Sequence, residues 1–131
     1  SFPERLQSML SVGIDLVEIR RIEKSIRNPR FCSRVLGKTE YAQLEMRGFP
    51  VQSVAASFCA KEAFSKALGT GIRGFALTEV ELLREENGRP RLHLTGNAAE
   101  LAAARGLAEF SVSVTHTKEY AAAVVVGEER D

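Results

Sequence analysis

The sequence predicts an α+β fold of one domain, in which a mainly antiparallel sheet packs on a long buried helix. Three observations point there. The stretch ASFCAKEAFSKALGTG, Ala56 to Gly71, is apolar on most sides at helical spacing, the mark of a buried helix. ENGRPRLHL sets an Asn87-Gly88 turn before Leu92 and Leu94, which is a hairpin signal. FSVSVTH and YAAAVVV form a second strand pair, joined by the polar Thr117, Lys118 and Glu119. At 131 residues the chain is long enough for a single domain, residues 1–131, to bury a core of its own.

Taken in order, SVGIDLVEI (Ser11 to Ile19) opens with an apolar run typical of a buried strand, broken only by Asp15. From Glu18 the period changes. Ile19, Ile22 and Ile26 fall on one helical face, with Arg20, Lys24 and Arg27 roughly opposite. Asn28-Pro29 stops that helix. One further helical segment is expected from about Phe31 to Met46, open to a break at Gly37 and a cap at Thr39, before Gly48 and Pro50 end it. The buried helix follows from about Gln52 to Leu68, closed by Gly69. Leu77, Val80 and Leu82 alternate imperfectly into the first hairpin. NAAELAAARG (Asn97 to Gly106) reads as an alanine-rich helix capped by asparagine and ended by glycine. No internal repeat or linker interrupts this order.

Composition narrows the class. The chain is 44% hydrophobic and 27% charged, the balance of a soluble globular protein. YAAAVVV is far too short to span a bilayer, and SFPERLQSML lacks the pattern of a signal peptide. Cys32 and Cys59 make no disulfide framework and read as reduced thiols of a cytoplasmic protein, Cys59 as a core filler. The net charge of +1 argues against a general polyanion binder. One segment is nonetheless basic: Arg20, Arg21, Lys24, Arg27, Arg30, Arg34 and Lys38 face a single acid, Glu23. Such a run ordinarily means a solvated face.

Two acids resist a purely structural explanation. Asp15 lies in an apolar strand and Glu62 in an apolar helix, and isolated buried carboxylates are costly unless paired, protonated or bound to a cation. Converging, they would offer two hard oxygen ligands, suited to magnesium, which takes its remaining ligands from water and a phosphate-bearing substrate. Equally, Glu62 could pair with Lys66 one turn on, and Asp15 could cap the following helix. Lys61 and Lys66 precede Gly69-Thr70-Gly71, whose backbone N–H groups can hold phosphate oxygens, although the order is the reverse of a P-loop. His116 ends a strand and is either a ligand contact or a surface residue. No Cys/His set has zinc spacing, and no GxSxG is present.

GIDLVEIRRI, FCAKEAFSKALGTG, NGRPRL and SVSVTHTKEYAAAVVV, in this order, resemble the holo-[acyl-carrier-protein] synthases, the small class of 4′-phosphopantetheinyl transferases. The resemblance runs from about Val12 to Val126 and leaves residues 1–11 as an N-terminal extension. It implies the 4′-phosphopantetheinyl transferase fold and transfer of phosphopantetheine from coenzyme A to a serine of apo acyl carrier protein, releasing adenosine 3′,5′-bisphosphate. It implies Asp15 and Glu62 as Mg2+ ligands and, with Lys66, as the catalytic set. Lys61, Lys66, Gly69, Thr70, Gly71, Thr115, His116 and Thr117 become the coenzyme A contacts. Family members of this size are homotrimers with active sites between subunits, so Phe64 or neighbouring apolar strand positions become candidate subunit contacts. Arg20, Arg21, Lys24 and Arg27 become a candidate docking surface for the acidic carrier protein. The implied role is in fatty acid biosynthesis in the cytoplasm, with no membrane or nucleic-acid partner. One departure stands out: many relatives carry arginine where this chain has Ser57. The base for the serine proton is left open among Glu62, a metal-bound water and His116. A coenzyme A-binding scaffold without catalysis is disfavoured by the intact Asp15, Glu62 and Lys66. An RNA-binding module would need exposed stacking aromatics, and the Phe and Tyr residues lie mostly at core-like positions.

Overall fold

The computed structural model describes residues 10–130. Strand β1 (Leu10–Glu18) is the first among the described residues and pairs antiparallel with β5 (Tyr120–Glu129), the last among them, which also pairs with β4 (Leu107–His116). The order β1-β5-β4 puts the final strand in the middle. Because side chains alternate across a strand, the sheet has two distinct faces. Gly13 and Val17 of β1, with Ala121, Ala123 and Val125 of β5, are buried on the inner face. Leu10, Val12, Ile14 and Leu16 point outward and are 60–64% exposed. Opposite them on β5 stand Val126, Val124 and Ala122.

Helix α4 (Val51–Leu68) packs on the inner face. Twelve of its 18 residues are buried, so its all-round apolar sequence reflects burial on every side. Small residues let it approach closely. A Cβ added to Gly13 would lie 1.8 Å from the Ala63 carbonyl oxygen and 2.5 Å from the Ala67 nitrogen. Phe64 is fully buried within this single chain, its ring 5.6 Å from Phe75 and 5.2 Å from Phe110. The expectation that Phe64 lies at a subunit contact is therefore corrected: the chain's own core consumes it. Gly69 caps the helix at φ 82°, the left-handed conformation that glycine adopts without strain.

Helix α1 (Ile19–Ile26) follows β1 directly and buries Ile19 and Ile22, with Ile26 half-buried. The segment from Phe31 to Met46 breaks at Gly37, as its sequence allowed, into α2 (Pro29–Val35) and α3 (Lys38–Met46). Pro29 stops one helix and opens the next, where its missing N–H costs nothing, while the Asn28 side chain accepts from Arg30 N at 3.0 Å. Gly37, not Thr39, is the N-cap of α3. Strands β2 (Val80–Arg84) and β3 (Pro90–Leu94) form the first hairpin, with β2 packed on α3 and α4 and β3 beside β4.

Helix α5 (Gly96–Ala104) is not capped by Asn97 as its sequence implied. The Glu79 carboxylate, 18 positions earlier, accepts from Asn97 N at 3.0 Å and closes the helix start. Gly96 makes room for it: with φ 52°, its Cβ would fall 2.0 Å from Glu79 Oε2. Of the expected N-terminal extension, residues 1–9 lie outside the described residues, and Leu10 and Ser11 already belong to β1.

Candidate active site

Asp15 projects from the inner face of β1, and Glu62 and Lys66 project from α4 one turn apart. Lys66 Nζ lies 3.3 Å from Asp15 Oδ1 and donates to the Ile14 carbonyl at 3.0 Å. Strand and helix thus bring together residues 51 positions apart. Asp15 does not cap α1, whose N-cap is Glu18, and the carboxylate partner of Lys66 is Asp15 instead of Glu62. Burial raises the pKa of Glu62, the negative charge of Asp15 raises it further, and Lys66 opposes both. The two carboxylates therefore feel each other, with one lysine, 54% exposed, beside them.

Cys59 is the buried core thiol its sequence implied, and it also lies beside this cluster. Its Sγ donates to the Ala121 carbonyl at 3.4 Å, and its pKa is pushed up to about 12, first by burial and then by Asp15. The available signal was its i, i+3 spacing from Glu62 on one helix side. Among the described residues no group of three or more His, Cys, Asp or Glu side chains has a metal-binding arrangement. A pair of mutually repelling carboxylates does suit a hard cation that completes its shell with water and a phosphorylated substrate.

Lys61 is corrected. Instead of facing a nucleotide, it is 0% exposed and paired with the equally buried Glu40, Nζ to Oε1 2.7 Å. It also donates to the carbonyls of Leu77, at 3.2 Å, and of Val80. All three ammonium hydrogens are used within the core. Burial pulls the Lys61 pKa down, and the Glu40 charge opposes that.

The expected nucleotide groove is also divided. Gly69, Thr70 and Gly71 follow the last turn of α4, whereas His116 and Thr117 border a cleft of about 490 Å³ with Val51 and Gln52 of its first turn. An 18-residue helix is about 27 Å long, so the two groups cannot converge on one phosphate within one chain. Thr115 points to the outer sheet face, opposite Ala122, and the Thr117 hydroxyl accepts from Glu119 N and Tyr120 N to shape the β4–β5 turn. Near Gly69 stands a cation the sequence did not single out: an added Cβ would meet the Arg105 guanidinium at 3.2 Å. Ser57, at the departure from the family pattern, is buried and lines an apolar cavity of about 250 Å³ with Leu44, Leu82, Arg47 and Arg84. Burial lowers the Arg84 pKa, and the like charge of Arg47 adds to it.

On α1 and its C-cap, Arg20, Arg21, Lys24 and Arg27 are exposed, and none pairs with an acid among the described residues.

Comparison with known proteins follows the same lines. The family model of the 4′-phosphopantetheinyl transferase superfamily matches residues 11–125. A Moorella thermoacetica protein named holo-[acyl-carrier-protein] synthase is 46% identical over 121 residues, 92% of this chain and 94% of its own. The solved holo-[acyl-carrier-protein] synthase of Neisseria meningitidis superposes with a TM-score of 0.84 at 30% identity, covering 91% of this chain and 98% of that one. The Helicobacter pylori synthase, solved in complex with coenzyme A, gives 0.78 at 30% identity over 89% and 99%.

Proposed function

This chain belongs to the 4′-phosphopantetheinyl transferase superfamily, and from that membership we propose that it transfers 4′-phosphopantetheine from coenzyme A to a serine of apo acyl carrier protein, releasing adenosine 3′,5′-bisphosphate. The observation that carries the reading is the near full-length similarity to holo-[acyl-carrier-protein] synthases. The clustering of Asp15, Glu62 and Lys66 supports it. One domain performs the reaction, and the product serves fatty acid biosynthesis in the cytoplasm. No described helix is long and apolar enough to cross a membrane.

Asp15 and Glu62 would hold Mg2+, which when bound would neutralise charge on the pyrophosphate of coenzyme A. The Lys66 ammonium, half-exposed and already oriented by Asp15 and the Ile14 carbonyl, takes a pyrophosphate oxygen. The incoming serine hydroxyl must lose a proton. Among the groups of this chain, the Glu62 carboxylate stands beside Asp15 and Lys66 at the site and is placed to accept it. His116 of the same chain lies at the separate cleft.

The outer face of the sheet supports a homotrimer. Leu10, Val12, Ile14 and Leu16 form an apolar stripe on β1, extended by Val124 and Val126, that a second copy would cover. A shared site also accounts for the divided groove, since Gly69–Gly71 of one copy and His116–Thr117 of the next can then reach one ligand. The α1 cations receive the acidic carrier protein.

Mass spectrometry tests the whole reading. Apo carrier protein incubated with this protein, coenzyme A and Mg2+ should gain one phosphopantetheine mass. Chelator should abolish the gain and added Mg2+ restore it, and folded Asp15→Ala and Glu62→Ala should be silent. An unmodified carrier protein in the complete reaction rejects the assignment.

A further inference from the structure

We propose that Lys61 and Glu40 are positioning residues for the transfer site: their buried pair fixes the roll of α4 about its axis, and so the placement of Glu62 and Lys66 against Asp15. This rests on the reading of those three residues as the reaction centre.

The helix is held on two sides in different ways. Toward β1 the contact at Gly13 is backbone against backbone, with Ala63 and Ala67 beneath. This contact sets the distance between strand and helix, and the polar ties on the same side are single ones: Ser11 Oγ to the Ala67 carbonyl, Cys59 Sγ to the Ala121 carbonyl, and Lys66, itself a site residue, to β1. Toward α3 and β2 the contact is keyed. Lys61 donates to Glu40 Oε1 at 2.7 Å, to the Leu77 carbonyl at 3.2 Å and to the Val80 carbonyl. Glu40 is itself pinned: Oε1 accepts from Gly37 N at 3.0 Å and Oε2 from Leu82 N at 2.9 Å. Its own N–H donates to Glu81 Oε2 at 2.7 Å. A compact ammonium with three donors fits three converging oxygens, whereas a planar guanidinium does not.

A fully buried ion pair is a poor way to gain stability, since apolar residues of similar volume do at least as well. What it supplies is direction. Lys61 immediately precedes Glu62, about 100° round the helix. A roll of about 10° swings a side-chain end about 6 Å from the axis by about 1 Å, and an error of that size costs about 100-fold in rate.

The test uses the intact protein with Lys61→Met, Lys61→Arg and Glu40→Gln/Lys61→Met. Three readouts apply: the crystallographic Lys66–Asp15 contact, Mn2+ affinity with coenzyme A present by electron paramagnetic resonance, and kcat separated from carrier-protein KM. Lys61→Met should stay folded, open the contact now at 3.3 Å by about 1 Å, weaken Mn2+ at least tenfold and lower kcat about 100-fold with KM unchanged. Lys61→Arg should not rescue it. If the orphaned Glu40 charge unfolds Lys61→Met, the double variant removes that charge and carries the same expectation. A folded single or double variant with α4 unrolled, normal Mn2+ affinity and normal kcat overturns the proposal, whatever its melting temperature. Glu62→Gln is the separate control. If it retains wild-type Mn2+ affinity, the metal reading fails, and the crystallographic contact alone then decides the role of Lys61.

Discussion

Replacing Gly13 with alanine should do more harm than any other single-methyl change on the inner sheet face. The new Cβ would start 1.8 Å from the Ala63 carbonyl oxygen and 2.5 Å from the Ala67 nitrogen. Carbon and oxygen in contact need about 3.3 Å, so strand and helix must part by about 1.5 Å. Both obstacles are helix backbone and cannot swing aside. Overpacking costs about 1–3 kcal/mol, and rigid neighbours put this case at about 3 kcal/mol. For a chain of this size that lowers Tm by about 10–15 °C. Asp15 sits two residues along on the same strand face and would retreat from Lys66 with the strand. Thermal unfolding by circular dichroism should show the drop, and transfer measured well below Tm should fall about 100-fold in still-folded protein. Gly127→Ala is the matched control, because its nearest obstacle is the Phe110 ring at 2.9 Å, which can turn. A Gly13→Ala protein that melts within about 3 °C of wild type and transfers normally would refute the claim that this contact sets the site.

Three further outcomes follow from the same geometry. Ile14→Glu puts a charge in the middle of the apolar β1 stripe, so sedimentation at micromolar concentration should show the proposed trimer replaced by folded monomer, with transfer lost. Because the fold raises the Glu62 pKa, its ionised form destabilises the metal-free protein, and stability from this group is lost as pH rises through the raised value. Glu62→Gln should therefore raise Tm at neutral pH by about 1–3 °C, solvent screening keeping the effect small, and change nothing below about pH 4; an equal gain at all pH values contradicts it. Arg21→Glu should raise carrier-protein KM about 5–10-fold at low salt, the difference shrinking as the Debye length falls from about 8 Å toward 3 Å, while coenzyme A binding holds and Lys118→Glu does much less.

What the sequence made legible was local or anomalous. The change of period at Glu18 located the β1–α1 junction, and two carboxylates in apolar segments stood out because burial makes them expensive. Long-range satisfaction was not legible. The start of α3 is held by Glu81 and that of α5 by Glu79, each from a distant part of the chain. Lys61 and Lys66 look alike in sequence, yet five positions turn a helix through 140°, carrying one into the core and the other beside Asp15. Phe64 misled for a related reason: a helix apolar all round can bury every face in its own chain.

The strand pairing has a consequence for how this protein is made. β1 joins β5 along its whole length, and β5 supplies the middle of the sheet on which α4 rests. While the chain is being synthesised, the helix has no floor, and β1 offers its apolar outer stripe without a partner strand. The three-stranded sheet cannot close until residues 120–129 have been made, and pairings of such long span form slowly. The nascent chain is thus exposed to mispairing until β5 is made. Loss of residues 120–129 would not trim an edge but take out the centre of the sheet.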